Sequence, residues 1–193
     1  YLFLHGSTIA INTLLERNGA NSALLITEGF RDIYEIGRVN RPDAYNLFFG
    51  KHVPLVKRSQ RYEVRERLRA DGSLHRELDE DQVRETAQAL KAQGIEAVAV
   101  LLLHSYRNPE HEQRVKAILQ EELPGAFVTA SHELSQEYRE FERASTAVAN
   151  AYVGPRVSAY LGELETHLHE RGFGGAFYAV QSTGGLFDVG RCD

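Results

Sequence analysis

The segment Ile95–Leu103 (IEAVAVLLL) places the tightest limit on how this chain folds. Its apolar run is broken only by Glu96, whereas a strand with one face in water would alternate apolar and polar residues. A nearly continuous run suits a parallel strand covered on both faces by helices. The residues before it agree: Asp79 with Gln82 three positions later resembles a capping box, and Val83, Ala87 and Leu90 recur at helical spacing until Gly94 stops them. A helix feeding a doubly buried strand is half of a βαβ unit.

The same alternation recurs along the chain. Ile9, Ile11, Leu14 and Leu15 form a stripe that predicts a helix from Ser7 to Arg17, capped by Ser7 and ended by Gly19. Ser22–Thr27 is a short buried strand, followed by a turn at Glu28–Gly29 and a short helix around 31–37. Arg38–Pro54 is an irregular packed loop. Arg61–Arg69 alternates and precedes turn chemistry at 70–73, so with Leu74–Leu78 it reads as an exposed β-hairpin. Asn108-Pro109 opens a helix carried by Val115, Ile118 and Leu119, and Phe127–Ala130 is the next strand. Two helices follow, at 136–152 and 155–171, separated by Gly154-Pro155; Ala176–Gln181 is a closing strand. The predicted class is α/β, a mainly parallel sheet flanked by helices with a hairpin inserted near 58–78. One lobe spans 1–172, a boundary falls at 172–175, and 173–193 begins a second lobe.

Composition removes several functions. The net charge of −5 comes from 27 acidic and 22 basic residues with no long single-sign block, so neither nucleic acid nor an anionic membrane is an expected partner. The apolar runs fall well short of the roughly 20 residues a membrane helix requires. Cys192 is the sole cysteine and cannot close an intrachain disulfide, which fits a reducing cytoplasm. A chain that begins at Tyr1 and lacks Met reads as a segment of a longer protein. Neither the Gly-x-Ser-x-Gly elbow nor a P-loop occurs.

Several residues stand where chemistry is ordinarily placed. His5, Ser7 and Thr8 lie where a strand meets a helix N-terminus, which favours anions; the plain alternative is that Ser7 only caps the helix. Arg38, Asn40 and Arg41 sit in the irregular loop and could grip a carboxylate or phosphate, or be solvated charges. His104 follows the buried strand at its carboxyl end, the edge where α/β sheets hold ligands, although a core histidine is the alternative. Glu140, Glu142 and Arg143 share one helix, either as a general-base cluster or as an ion-paired face. His111 with Glu112, and His167 with His169, lack tetrahedral metal spacing and are expected at the surface, so no metal site is predicted.

Six blocks, His5–Arg17 (HGSTIAINTLLER), Thr27–Asp32 (TEGFRD), Ile36–Pro42 (IGRVNRP), Leu103–Pro109 (LHSYRNP), Glu140–Thr146 (EFERAST) and Gln181–Gly185 (QSTGG), occur in an order and spacing that resemble the hydantoinase A / 5-oxoprolinase family over nearly the whole chain. The resemblance implies a ribonuclease-H-like, actin-like ATPase lobe and an enzyme that uses ATP and Mg²⁺ to open a cyclic amide such as a hydantoin or 5-oxoproline. With the residue chemistry above, the expected catalytic groups are His104 and Glu142 and the expected substrate contacts are His5, Ser7, Thr8, Arg38, Asn40 and Arg41, while the resemblance implies Gly184 and Gly185 near the nucleotide. The family's phosphate loops, an acidic residue followed by Gly-Gly-Thr, are expected before Tyr1 and after Asp193. The chain alone is therefore expected to hold no ATP and to be inactive. Two other readings are a scaffold for a hydantoinase B-type partner subunit or domain, and a part of a related ketone carboxylase.

Overall fold

A computed structural model of the chain describes residues 1–38, 45, 46, 48, 53–180 and 185–189. In chain order its elements are β1 (Leu2–His5), α1 (Ile9–Glu16), β2 (Ser22–Thr27), α2 (Ile33–Ile36), β3 (Arg61–Val64), β4 (Arg67–Leu68), β5 (Leu74–Arg76), α3 (Glu80–Ala92), β6 (Ala97–Leu101), α4 (Glu110–Glu122), β7 (Phe127–Ala130), α5 (Ser131–Leu134), α6 (Glu140–Glu170), β8 (Ala176–Val180) and β9 (Leu186–Asp188). They form two compact units, one of residues 20–152 and one of residues 1–19 with 153–193.

The unit of residues 20–152 is α/β, as its sequence predicts. Its four strands run β3-β2-β6-β7, all parallel. Every residue of β2 and β6 is buried, because successive side chains leave opposite faces and both faces are covered. On one face Ala23, Leu25, Val98 and Val100 meet Val83, Ala87 and Leu90 of α3 and Val115, Ile118 and Leu119 of α4. On the other, Leu24, Ile26, Ala99 and Leu101 meet Ala144, Ala147, Val148 and Ala151, small residues that let α6 lie close to the sheet. Ile118 is fully buried in the first layer. Ile118→Val should leave a methyl-sized void there and lower stability by about 0.5–1.5 kcal/mol in urea unfolding.

Local signals set the ends of several elements. The Asp79 carboxylate accepts the Gln82 backbone N–H at 3.0 Å, the expected cap of α3, and Gly94 closes the turn after it at φ 63°. Asn108 Oδ1 accepts the Glu110 N–H at 3.0 Å and so starts α4.

Several expectations are corrected. Arg61–Val64 is not an arm of the hairpin but joins the parallel sheet beside β2, with Leu24 opposite Arg61 and Thr27 opposite Val64. Arg61 is core: it is 1% exposed, its guanidinium donates to the Val56 carbonyl and Glu35, and it lies 5.2 Å from the Tyr34 ring. A guanidinium held by an acceptor and a counter-charge can therefore occupy a position that alternation alone assigns to solvent. The hairpin is only Arg67–Leu68 against Leu74–Arg76. Helix α1 ends at Arg17, which takes the left-handed conformation at φ 52° before Gly19 is reached.

The pair Gly154-Pro155 does not separate two helices, because α6 runs through it. Proline removes one N–H and crowds the preceding turn, whereas apolar packing continues on both sides of it. The segment before Pro155 serves the sheet above; the later segment carries Leu161, which packs with Phe177 and Val189 in the other unit. In that second unit β1 pairs in parallel with β8, and β9 runs antiparallel to β8. The boundary expected at 172–175 thus falls inside a unit: strand pairing draws the first residues of the chain to its last ones.

Candidate functional site

In the unit of residues 20–152, chain polarity sends the ends of β2, β3, β6 and β7 to one edge of the sheet, where the residues following each strand meet. This is the edge at which parallel α/β sheets place ligands. A cleft of about 550 Å³ opens there, lined by Glu28, Glu66, Arg67, Arg69, His75, Arg76 and His104 together with Leu68 and Ala70.

His104, singled out by its place after the buried strand, lies in this cleft and is only partly buried. Its backbone is left-handed at φ 60°, a conformation that costs a side-chain-bearing residue about 1–2 kcal/mol. The turn locks it there, since its carbonyl accepts the Arg107 and Asn108 N–H groups at 2.8 and 3.2 Å. The ring stands edge-on to Tyr106 with centroids 6.0 Å apart, and the tyrosine hydroxyl is 3.5 Å from Nδ1. A strained histidine at a ligand-binding edge is the type of outlier that marks functional sites.

At the same sheet edge are two carboxylates that sequence reasoning did not select as site residues, one lining the cleft and one buried in the first turn of α4. Glu66 is 2% exposed; one oxygen accepts the Thr27 hydroxyl, and the other lies 2.8 Å from His111 Nδ1. The Thr27 oxygen in turn accepts the Leu103 N–H at 2.9 Å, tying the carboxyl ends of β2 and β6 together. Glu112 is wholly buried and accepts the Leu102 N–H, the Ser131 hydroxyl and the His132 N–H at 2.7, 2.7 and 3.0 Å, with His132 Nδ1 at 2.7 Å. Burial pushes its carboxyl up, but these donors together outweigh burial and hold it below the ordinary carboxylate range. Arg143 lies 3.5 Å away, also wholly buried; it donates to the Leu102 carbonyl at 2.9 Å and to the Ser105 hydroxyl, and its face lies 5.5 Å from the Tyr106 ring. Burial lowers its affinity for its proton, against the pull of Glu112, yet a guanidinium remains charged in proteins.

The expectation that His111 and Glu112 lie at the surface is thus overturned. Acidic residues in a first helical turn are usually solvated complements to the helix dipole. Here α4 begins so soon after β6 that its first turn is drawn under the sheet edge. His167 and His169 are exposed, as expected.

The other candidates fall in separate places. Arg38 forms an ion pair with Glu142. Burial raises the Glu142 carboxyl, but its own backbone N–H and Arg38 lower it further, leaving a weaker base than an unpaired glutamate. Neither residue lines the cleft that holds His104. His5, Ser7 and Thr8 belong to the unit of residues 1–19 and 153–193. There His5 Nε2 is 2.9 Å from the Tyr160 hydroxyl, Ser7 Oγ accepts the Ile9 N–H at 3.2 Å, and Thr8 Oγ1 accepts from Asn12 at 3.4 Å. Gly185 precedes β9 and is half-buried; Asn40, Arg41 and Gly184 lie outside the described residues.

Comparison with known proteins closes the assignment. The family model described as the hydantoinase/oxoprolinase N-terminal region matches residues 2–123, and the model described as hydantoinase/oxoprolinase matches residues 143–192. Caprolactamase subunit alpha from Pseudomonas jessenii is 35% identical over 96% of this chain and 27% of its own length. Acetophenone carboxylase gamma subunit from Aromatoleum aromaticum is 35% identical over 96% of this chain and 27% of its own. The 5-oxoprolinase of Saccharomyces cerevisiae is 33% identical over 96% of this chain and 16% of its own. In structure, the chain superposes on the ATP-dependent caprolactamase from Pseudomonas jessenii with a TM-score of 0.90, covering 96% of this chain and 27% of that one. The chain therefore spans about a quarter or less of the relatives it matches, and by the match of its residues 2–123 it belongs to the hydantoinase/oxoprolinase family.

Proposed function

We propose that the complete protein couples ATP hydrolysis to the opening of a cyclic amide, and that the sheet-edge cleft around His104 is one wall of its working site. The observation that carries this reading is collinear similarity along nearly the whole chain to an ATP-dependent caprolactamase and a 5-oxoprolinase. A ring amide is a poor electrophile, and ATP, with Mg²⁺, would supply the phosphoryl group that activates its oxygen. In this reading the lobe is of the ribonuclease-H-like, actin-like ATPase type. Gly184 and Gly185 come after β8 in sequence, and glycines at such a place would let backbone come close to a phosphate.

The chain's own residues then divide the work. His104, held in one orientation by its turn, transfers a proton at the reacting amide or its attacking water. Arg38, steadied by Glu142, anchors substrate together with Asn40 and Arg41. At 27% of the length of caprolactamase subunit alpha, the isolated chain should not turn over. Relatives named as subunits support a partner subunit, and the partner proposed is of the hydantoinase B type.

The full-length protein with its partner should release inorganic phosphate from Mg-ATP only when a lactam is added, in step with ring-opened product. Assaying 5-oxoproline, hydantoin and caprolactam side by side identifies the ring. Phosphate release that responds to a ketone with bicarbonate and to none of the cyclic amides would replace this reading with the carboxylase one, which the likeness to acetophenone carboxylase favours.

A further inference from the structure

We propose that the sheet-edge cleft is an oxyanion site, in which Arg67, supported by Arg69, receives a carboxylate or phosphate group in front of His104. The inference rests on the reading above only in taking this cleft as functional, and it adds the class of ligand.

The charges around the cleft do not balance locally. Of its two carboxylates, Glu28 is engaged by Arg76 at 2.6 Å and by Arg65 at 4.0 Å, and Glu66 is engaged by the Thr27 hydroxyl and His111. Among the described residues, no carboxylate lies within ion-pair distance of Arg67 or Arg69. Arg69 donates to His75 Nδ1 at 3.2 Å; the Asp71 carboxylate, held mainly by Ser73, feels its charge without forming an ion pair with it.

Arg67 is held for recognition rather than left to wander. Its guanidinium lies over the Phe30 ring at 4.7 Å from the centroid. A cation–π contact restrains the guanidinium without using its N–H donors as a hydrogen bond would, and those donors form the fork that matches a planar carboxylate or a phosphate. Arg67 is half-buried, so the fork operates at the cleft wall where solvent screens it less than on an open surface. A cleft of about 550 Å³ has room for a small molecule. Placement beside His104 would set the anionic group of a ligand within reach of a proton-transfer residue.

The test is an amide-resolved NMR titration of the 193-residue chain at constant ionic strength, with inorganic phosphate, acetate and neutral caprolactam as separate probes. Saturable shifts confined to residues 66–70, 75–76 and 104–106, with phosphate or acetate and not with the lactam, are expected; the tighter of the two anions identifies the source. Arg67→Gln should weaken that anion by roughly 10–100-fold, the range of a lost charge-assisted contact, and Arg67→Lys should restore only part of it because the fork is gone. Thermal unfolding of each variant by circular dichroism checks that it folds like the parent. Should neither anion saturate, or should Arg67→Gln bind as the parent does, the oxyanion site is wrong. Anion binding that survives in a full-length protein with no lactam-dependent phosphate release would leave this site standing and remove the proposed activity instead.

Discussion

Replacing Glu112 with Gln is expected to lower the stability of the chain by about 3–5 kcal/mol, the range seen when one member of a buried ion pair is removed. The amide keeps the shape and one acceptor oxygen but leaves the Arg143 guanidinium wholly buried without a counter-charge, and its Nε and Nη1 already lack hydrogen-bond partners. Arg143→Met should cost less. It leaves Glu112 with the Leu102 N–H, the Ser131 hydroxyl, the His132 N–H and the His132 ring still against it. The order of the two losses is thus set by which partner is better satisfied without the other. The chain has no Trp, so urea unfolding followed by far-ultraviolet circular dichroism is the appropriate measurement. Equal losses for the two variants, or losses below about 1 kcal/mol, would show that the pair is not the keystone of this edge.

The same pair predicts an acid dependence. The Glu112 carboxyl is held below its ordinary value of 4.5 in the folded state. Its ionised form therefore contributes stability that is fully present above that value and is lost as pH falls through the lower folded-state value. A carboxamide at this position cannot titrate, so the stability gap between the parent and Glu112→Gln should be widest near neutrality and narrow as pH drops below 4.5. A gap that is constant across the acid range would rule out this linkage.

The largest effect on turnover is expected from His104. In the full-length protein, His104→Gly should reduce kcat by roughly 10²–10⁴-fold, the usual contribution of a positioned acid or base, with much smaller change in KM. The melting temperature should hold or rise, because glycine accepts φ 60° without the strain that histidine bears there. A purely structural histidine would give the reverse pattern, with activity retained per folded molecule and stability altered. His104→Asn offers a second check: asparagine tolerates the left-handed region but cannot relay a proton at neutral pH, so it should fold like the parent and remain slow. Activity of either variant within a few fold of the parent would remove His104 from the chemistry.

Much of the sheet is legible in the sequence because its determinants are local. Continuous apolar runs name β2, β6 and β7, and the caps at Asp79 and Asn108 place the starts of α3 and α4. The position of His104 at a strand's carboxyl end follows from the same pattern. The extent of the hairpin and the passage of α6 through Pro155 are not legible, because alternation and proline report on one segment at a time. Whether Arg61 faces water depends on Glu35 and the Val56 carbonyl, and whether a helix passes through a proline depends on what its two halves pack against.

By itself, then, the order of residues determined most of the strands and helices, that the main sheet is parallel, and which edge would collect polar side chains. Only the tertiary structure decided that Glu66 and Glu112 are buried, that Arg143 is the neighbour of Glu112 rather than a surface charge, that Arg38 is occupied by Glu142, and that Arg67 and Arg69 are left over at the cleft. The reason is range. Apolar periodicity and capping act over one or two turns, whereas the state of a charge is set by partners that are tens of residues away in sequence and a few ångströms away in space, as Glu66 is to Thr27 and Arg143 is to Leu102.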